Sequence, residues 1–253
     1  MQVIPEETAR ERVSLERAID AVEAVFVALE RGEAALFPVV MGANSDGAGR
    51  FGVKSGRIAS KALLGMKIGT YWPGNVTKGL ESHGSTTFLL DDATGFPRAV
   101  VGASHLTALR TAAADAVAIR RLAKADAAVL AVVGAGHQAW YDLKAACLVR
   151  PIREVRVWSR TAPQAERFAA RACRELGLDC RALPLADAVG GADIVICATA
   201  AGEPLVQPQW VKPGAHVSAM GADSVGKQEL SPQLVATARR FADVVAQSIS
   251  IGE

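Results

Sequence analysis

One short segment limits the possible folds more than any other. A continuous apolar run, Val129 to Val133, leads directly into Gly134-Ala135-Gly136-His137-Gln138-Ala139, and an alanine-rich helical stretch over His137 to Leu148 follows. A G-x-G-x-x-A segment placed between a strand and a helix is the turn that receives a dinucleotide. Gly134 permits the tight turn, Gly136 lets the backbone approach a pyrophosphate, and Ala139 allows close packing of helix on strand. The N–H groups of the first helical turn, His137 and Gln138 among them, then face the anion.

The pattern after this turn continues on the same period. VRVWSR, with its strand over Val155 to Trp158, precedes a helix over Pro163 to Leu176; IVICATA and HVSAMGA then supply two further apolar strands, the latter over His216 to Ala219. Near-continuous apolar strands alternating with helices indicate a parallel sheet covered on both faces, a Rossmann-type doubly wound α/β domain. A last strand is expected near Phe241 to Val245. Ahead of the turn the pattern differs. Ser14, then Leu15, Ile19, Val22, Phe26 and Leu29, then Gly32, reads as an N-capped amphipathic helix with a glycine stop. The stretches FPVV, FGVKSG, GMKIGTYW, STTFLLDD and, after a turn over Ala93 to Pro97, AVVG read as a mostly antiparallel sheet. A helix from about Leu106 to Leu122 closes this region. The expected organisation is a smaller α+β domain over 1–121 and a dinucleotide-binding domain over 122–253; the resemblance described below implies that the first binds substrate and dimerises.

Lys and Arg total 28 against 26 for Asp and Glu, with no basic tract, so neither a nucleic-acid groove nor a membrane-binding patch is suggested. The opening MQVIPEETARERV lacks the layout of a signal peptide, and a cytoplasmic location is expected. Cys147, Cys173, Cys180 and Cys197 are scattered without metal-ligand spacing and read as buried free thiols, so neither disulfide nor metal is expected.

Cofactor choice turns on the end of the second parallel strand. A carboxylate there accepts hydrogen bonds from both ribose hydroxyls and repels a 2′-phosphate, but this chain has Ser159, Arg160 and Thr161. A guanidinium fork flanked by hydroxyls favours NADP(H), with NAD(H) as the alternative if Arg160 is only a solvated surface residue.

The stretches GMKIGTYWPGN, LTALRTAAA, VVGAGHQA, VWSRT, MGADSVGKQEL and DVVAQSISIGE together resemble the ornithine cyclodeaminase and mu-crystallin family, which also contains an archaeal type of alanine dehydrogenase, ketimine reductases and iminosuccinate reductases. The resemblance implies a homodimer whose first domain binds a small imino or amino acid. It also implies that Lys67 and Arg110 hold the substrate carboxylate and that Asp223 is the acid/base beside the reacting carbon. Ser82 is placed by the same resemblance near the nicotinamide amide, and Thr111, Thr199 and Met220 are assigned with it to the cofactor site. These residue types suit the chemistry, since a guanidinium plus an ammonium grips a carboxylate and an imine must be protonated before it accepts hydride. Each has an ordinary alternative: Arg110 as a helix-start residue, Lys67 as a solvent-facing strand residue, Asp223 as a cap or turn residue. His83 and His105 read as ordinary polar residues rather than catalysts.

Thirteen residues before Lys67, where ornithine cyclodeaminases carry an acidic residue for the amino end of ornithine, this chain has Lys54. The reversed charge suits a second carboxylate and points to a dicarboxylic imine such as iminosuccinate, reduced to the amino acid. The arginine expected after the first helix is not evident, the nearest being Arg50 and Arg57. The chain ends at Glu253, where family members continue for some tens of residues that return to the first domain, so a fragment is one reading of its length. Two further readings stay open: ornithine cyclodeaminase, and a non-catalytic NADPH- and small-ligand-binding protein of the crystallin type.

Overall fold

The computed structural model describes residues 1–252, excluding the side chains of residues 250 and 251. The chain divides into two compact units, Met1–Arg110 and Thr111–Glu253.

The first unit is built on one sheet. Strand β1 (Gln2–Ile4) leads through Pro5 into helix α1 (Glu6–Arg12), and Ser14 then caps helix α2 (Leu15–Glu30), its side chain accepting a hydrogen bond from the Arg17 N–H at 3.3 Å. Helix α2 stops where the sequence places the stop, with Gly32 at φ +71°, and its apolar face buries Ile19 almost completely. Strands β2 (Ala34–Leu36), β3 (Val40–Ala43), β4 (Arg50–Ile58), β5 (Leu63–Tyr71), β6 (His83–Asp91) and β7 (Pro97–Gly102) follow. The order is β1-β7-β6-β5-β4-β2, with β3 also paired to β4; β1 runs parallel to β7 and the other pairs are antiparallel. FPVV is not the strand expected of it. Pro38 carries no N–H for a ladder, so the pairing that β2 makes with β4 ends with the Phe37 N–H, which donates to the Ser55 carbonyl at 3.0 Å, and resumes at Val40. The turn between β6 and β7 is held by Asp91, whose Oδ1 accepts from the Thr94 N–H and hydroxyl at 2.9 and 2.7 Å.

Helix α3 (Ser104–Leu122) runs across the division between the units. Its start is capped from far away in sequence: the Glu6 carboxylate accepts from the Ser104 and His105 N–H groups at 3.0 and 2.5 Å. A carboxylate on the first N–H groups satisfies donors that the helix itself leaves unpaired and offsets the positive end of its dipole.

The second unit contains β8 (Val129–Val133), α4 (His137–Val149), β9 (Glu154–Trp158), α5 (Ala162–Leu176), β10 (Asp179–Ala182), α6 (Leu185–Val189), β11 (Ile194–Cys197), β12 (His216–Ala219), α7 (Pro232–Thr237) and α8 (Val245–Ile251). Its strands form an all-parallel sheet in the order β10-β9-β8-β11-β12, the Rossmann arrangement in which the order reverses on either side of β8. Every residue of β11 is buried, as are Leu130, Ala131, Val132 and Val133 of β8, each large one worth about 1.5–3 kcal/mol on burial. Residues 241–245 do not form the expected strand; the segment is irregular and then turns into α8. Apolar content alone does not separate a short strand from a short helix. The cysteines differ from the expected burial as well. Cys197 is buried in β11, Cys147 and Cys180 are half-buried, and Cys173 on α5 is exposed because it falls outside that helix's apolar stripe of Ala165, Phe168, Ala169 and Ala172.

Replacement of Glu6 by Ala is expected to destabilise the protein by about 1–2 kcal/mol, the usual worth of a helix cap. Urea unfolding of the parent and Glu6→Ala proteins measures it; equal midpoints would show that water caps α3 equally well.

Candidate functional site

In the second unit the dinucleotide turn has the geometry its sequence demands. Gly134 has φ +109°, and a Cβ there would lie 2.6 Å from the Ala198 carbonyl, so glycine is required on both counts. Gly136 caps α4 without any side-chain hydrogen bond, and the space a Cβ would enter is open to 4 Å. Ala139 is completely buried against the sheet. An uncapped helix start with open space before it is a site for a phosphate-bearing group.

At the end of β9, Ser159 and Thr161 donate to Gln164 Oε1 at 3.4 and 3.2 Å, while Gln164 Nε2 donates to the Ala135 carbonyl at 3.1 Å. Gln164 thus ties the glycine turn to the end of β9. Sequence reasoning missed it, although its place three residues after Thr161, in the first turn of α5, carries the signal. Thr199 follows β11 and Met220 follows β12, whose N–H donates to the Cys197 carbonyl at 2.8 Å. Thr199 gives both its N–H and its hydroxyl to Glu229 Oε1 at 2.6 Å each. Asp223 is exposed in the loop after β12, paired with Lys227 Nζ at 2.5 Å, and it caps no helix.

Beneath the turn lie two buried acids, Asp115 on α3 and Asp142 on α4. Asp142 accepts from Gln138 Nε2 at 2.7 Å, and Asp115 accepts from the Ser218 hydroxyl. Burial pushes the Asp115 carboxyl up to about 7 against the Ser218 hydrogen bond, and burial together with Asp115 pushes Asp142 up to about 8. Gln138, named from the motif, therefore ties the dinucleotide turn to this buried pair.

In the first unit, residues from distant parts of the sequence converge on one sheet face. Strands β4 and β5 pair without interruption from Arg50↔Tyr71 to Ile58↔Leu63, which puts Lys54 directly across from Lys67, and Thr87 of β6 lies on the other side of Lys67. Cross-strand partners share a face, so Lys54, Lys67 and Thr87 point the same way while Met66 and Ile68 point the other. Lys67 Nζ donates to Thr107 Oγ1 of α3 at 3.4 Å, and Thr107 in turn donates to Ser85 Oγ at 3.0 Å. Arg110 lies one helical turn beyond Thr107. Burial, then the charges of Arg110 and Lys54, pull the Lys67 ammonium down to about 7. Both strands carry G-x-K-x-G, and the register pairs Gly52 with Gly69 and Gly56 with Gly65. The two lysines are therefore flanked on their own face by glycines, and at Gly69 no atom lies within 4 Å of where a Cβ would stand. The repeated G-x-K-x-G was visible in the sequence; Thr107 and Ser85 carried no comparable signal.

Ser82 lies at the end of the connection before β6, its carbonyl accepting from the Trp72 N–H at 2.7 Å, and Thr111 is the first residue of the second unit. His83 stacks with Tyr71 at 4.6 Å between ring centroids, and His105 meets the Glu6 carboxylate through its backbone. Among the described residues no group of three or more His, Cys, Asp or Glu side chains is arranged to hold a metal, and no helix is long and apolar enough to cross a membrane.

Three basic side chains lie within electrostatic reach of one another here, a charge pattern that a carboxylate or dicarboxylate can neutralise. A lysine whose folded pKa is about 7 is charged below that pH and neutral above it, so anion affinity is expected to be highest in weak acid and to fall as pH rises, by at most about tenfold per unit. Calorimetric titration with succinate across this range measures the trend. Lys67→Arg, which stays charged, should flatten it; a slope that persists in the arginine variant would remove Lys67 as its source.

The sequence matches the family model described as the ornithine cyclodeaminase/mu-crystallin family over residues 3–253. It is 44% identical over 253 residues to the iminosuccinate reductase of Paracoccus denitrificans, covering 100% of this chain and 79% of that protein. The crystal structure of the Paracoccus denitrificans iminosuccinate reductase in complex with NAD+ superposes with a TM-score of 0.94 at 43% identity, covering 99% of this chain and 78% of that one. An archaeal alanine dehydrogenase dimer with bound NAD matches with a TM-score of 0.93 at 30% identity, over 99% of this chain and 76% of that one. The chain belongs to the ornithine cyclodeaminase/mu-crystallin family.

Proposed function

We propose that this protein is a nicotinamide-dependent reductase of a small dicarboxylic imino acid, iminosuccinate being the compound that fits best, and that its product is the amino acid. The observation that carries this reading is the placement of Lys54 directly across from Lys67 with Arg110 close by. A cationic amine such as ornithine is repelled by that face, whereas two carboxylates neutralise it. The 44% identity to an iminosuccinate reductase supports the same choice.

The second unit suits the cofactor, with its open helix start, a turn that tolerates only glycine at position 134, and a ribose end without a carboxylate. Gly134, Gly136, His137, Gln138 and Ala139 would hold the pyrophosphate, Thr111, Thr199 and Met220 the nicotinamide end, and Ser159, Arg160 and Thr161 the adenosine ribose. Arg160 makes the cofactor NADP(H) by preference. The two related structures carry NAD, so NAD(H) is the competing cofactor.

When bound, the reduced nicotinamide supplies hydride to the imine carbon. The protein's own residues do the rest. Arg110 and Lys67 hold the α-carboxylate, Lys54 holds the distal one, and Asp223 or a water it positions delivers the proton that keeps the imine nitrogen cationic. The working form is a homodimer, which the dimeric alanine dehydrogenase supports, and a cytoplasmic location belongs to the same reading.

The direct test is oxidation of NADPH, and separately of NADH, with oxaloacetate plus ammonium, pyruvate plus ammonium, or a cyclic ketimine. Turnover to aspartate with the first mixture alone is expected. Conversion of ornithine to proline and ammonia, or saturable NADPH binding without any turnover, would replace this reading with cyclodeaminase or carrier. Lys54→Glu should lower kcat/KM for the oxaloacetate mixture by about ten- to a hundredfold, as reversal of a carboxylate contact requires. Unchanged kinetics in that variant would leave the reductase but remove Lys54 as its selector.

A further inference from the structure

We propose that Glu229 is the positioning residue of the catalytic end of the second unit: one buried carboxylate sets the spacing between the loop after β11 and the loop after β12 and so places Asp223. The inference rests on Asp223 being the acid/base.

Glu229 has no solvent-exposed surface, yet it lies in an irregular segment rather than in a helix or strand. Its two oxygens serve different loops. Oε1 accepts from the Thr199 N–H and hydroxyl at 2.6 Å each, and Oε2 accepts from the Gly221 N–H at 2.7 Å. Its own backbone is tied down too, since its carbonyl accepts from the Leu205 and Val206 N–H groups at 2.8 and 3.0 Å. The packing leaves no slack, because a Cβ at Gly221 would lie 2.5 Å from Glu229 Cδ. Asp223 follows directly, its N–H donating to the Gly221 carbonyl at 2.9 Å. The far end of the same loop is fixed by Gln228, whose N–H donates to the Ala201 carbonyl at 2.9 Å. The segment from Gly221 to Glu229 is therefore a closed loop pinned at both ends onto the residues after β11, with Asp223 near its start.

Burying a carboxylate is costly unless its oxygens are well satisfied, and an apolar side chain of equal size would fill the volume at lower cost. A clamp with short hydrogen bonds to both loops instead defines one separation between them, because each N–H left without its acceptor carries a penalty of about 1–3 kcal/mol. That separation decides where Asp223 stands relative to the residues of the nicotinamide end.

The two oxygens can be tested one at a time. Glu229→Gln keeps an acceptor for Thr199 but turns an amide NH2 toward the Gly221 N–H, donor against donor. With NADPH, oxaloacetate and ammonium, it is expected to lower kcat by about ten- to a hundredfold and to shift the pH profile of kcat, while the NADPH Kd changes by less than about threefold. Thr199→Val leaves the Gly221 bond intact and should raise the NADPH Kd without moving the pH profile. A Glu229→Gln enzyme with the parent's kcat and profile overturns the proposal, as does one whose NADPH affinity and melting temperature fall while the profile stays fixed. If Glu229→Gln does not fold, Thr199→Val decides: a fixed profile supports the clamp and a shifted one overturns it. Asp223→Asn, run alongside, separates the two ideas. Parental activity in that variant removes the acid/base reading and the clamp with it; an inactive Asp223→Asn beside a parental Glu229→Gln removes the clamp alone.

Discussion

Two lysines held side by side on neighbouring strands repel each other, and the first unit is organised around keeping them there. The β4–β5 ladder runs through nine residue pairs without a bulge, so Lys54 cannot slip away from Lys67 without moving every other side chain of the strand to the wrong face. Helix α3 adds a third cation to the same neighbourhood through Arg110 and a hydrogen bond to Lys67 through Thr107. The start of α3 is in turn set by the Glu6 carboxylate, a residue of the first helix. Like charges directly opposite each other destabilise a sheet by up to about 1 kcal/mol, and partial burial of Lys67 adds to that cost. A bound dianion would relieve both.

The second unit meets the opposite requirement, which is to present neutral backbone donors to an anion. The fully apolar strands β8 and β11 make the platform rigid, and the turn after β8 exposes the first N–H groups of α4. Polar groups under the platform are used sparingly and each has a structural consequence. Asp142 orients Gln138 of the turn, Gln164 joins the turn to the end of β9, and Glu229 joins the loops after β11 and β12. Asp115 and Asp142 are acids that burial holds toward the neutral form, which is the cheaper state to bury.

Much of this was legible in advance because it is local. The strand-turn-helix around Gly134, the Ser14 cap and the turn ahead of β7 each depend on a few consecutive residues and on dihedral preferences that neighbours do not alter. The failures share a cause. FPVV and the segment 241–245 are short, so their state was decided by available partners: Pro38 could not join the ladder, and residues 241–245 pair with no strand among the described residues.

By itself, then, the sequence determined the Rossmann platform, the glycine turn, the absence of a carboxylate at the ribose end and the family to which the chain belongs. Those features are written in contiguous residues with a fixed period. Only the tertiary structure decided that Lys54 faces Lys67, that Thr107 and Ser85 join them, that Glu6 caps a helix nearly a hundred residues away, and that Glu229 spans two loops. Such contacts depend on strand register and on which helix packs over which strand, and neither is encoded by any short stretch of the chain.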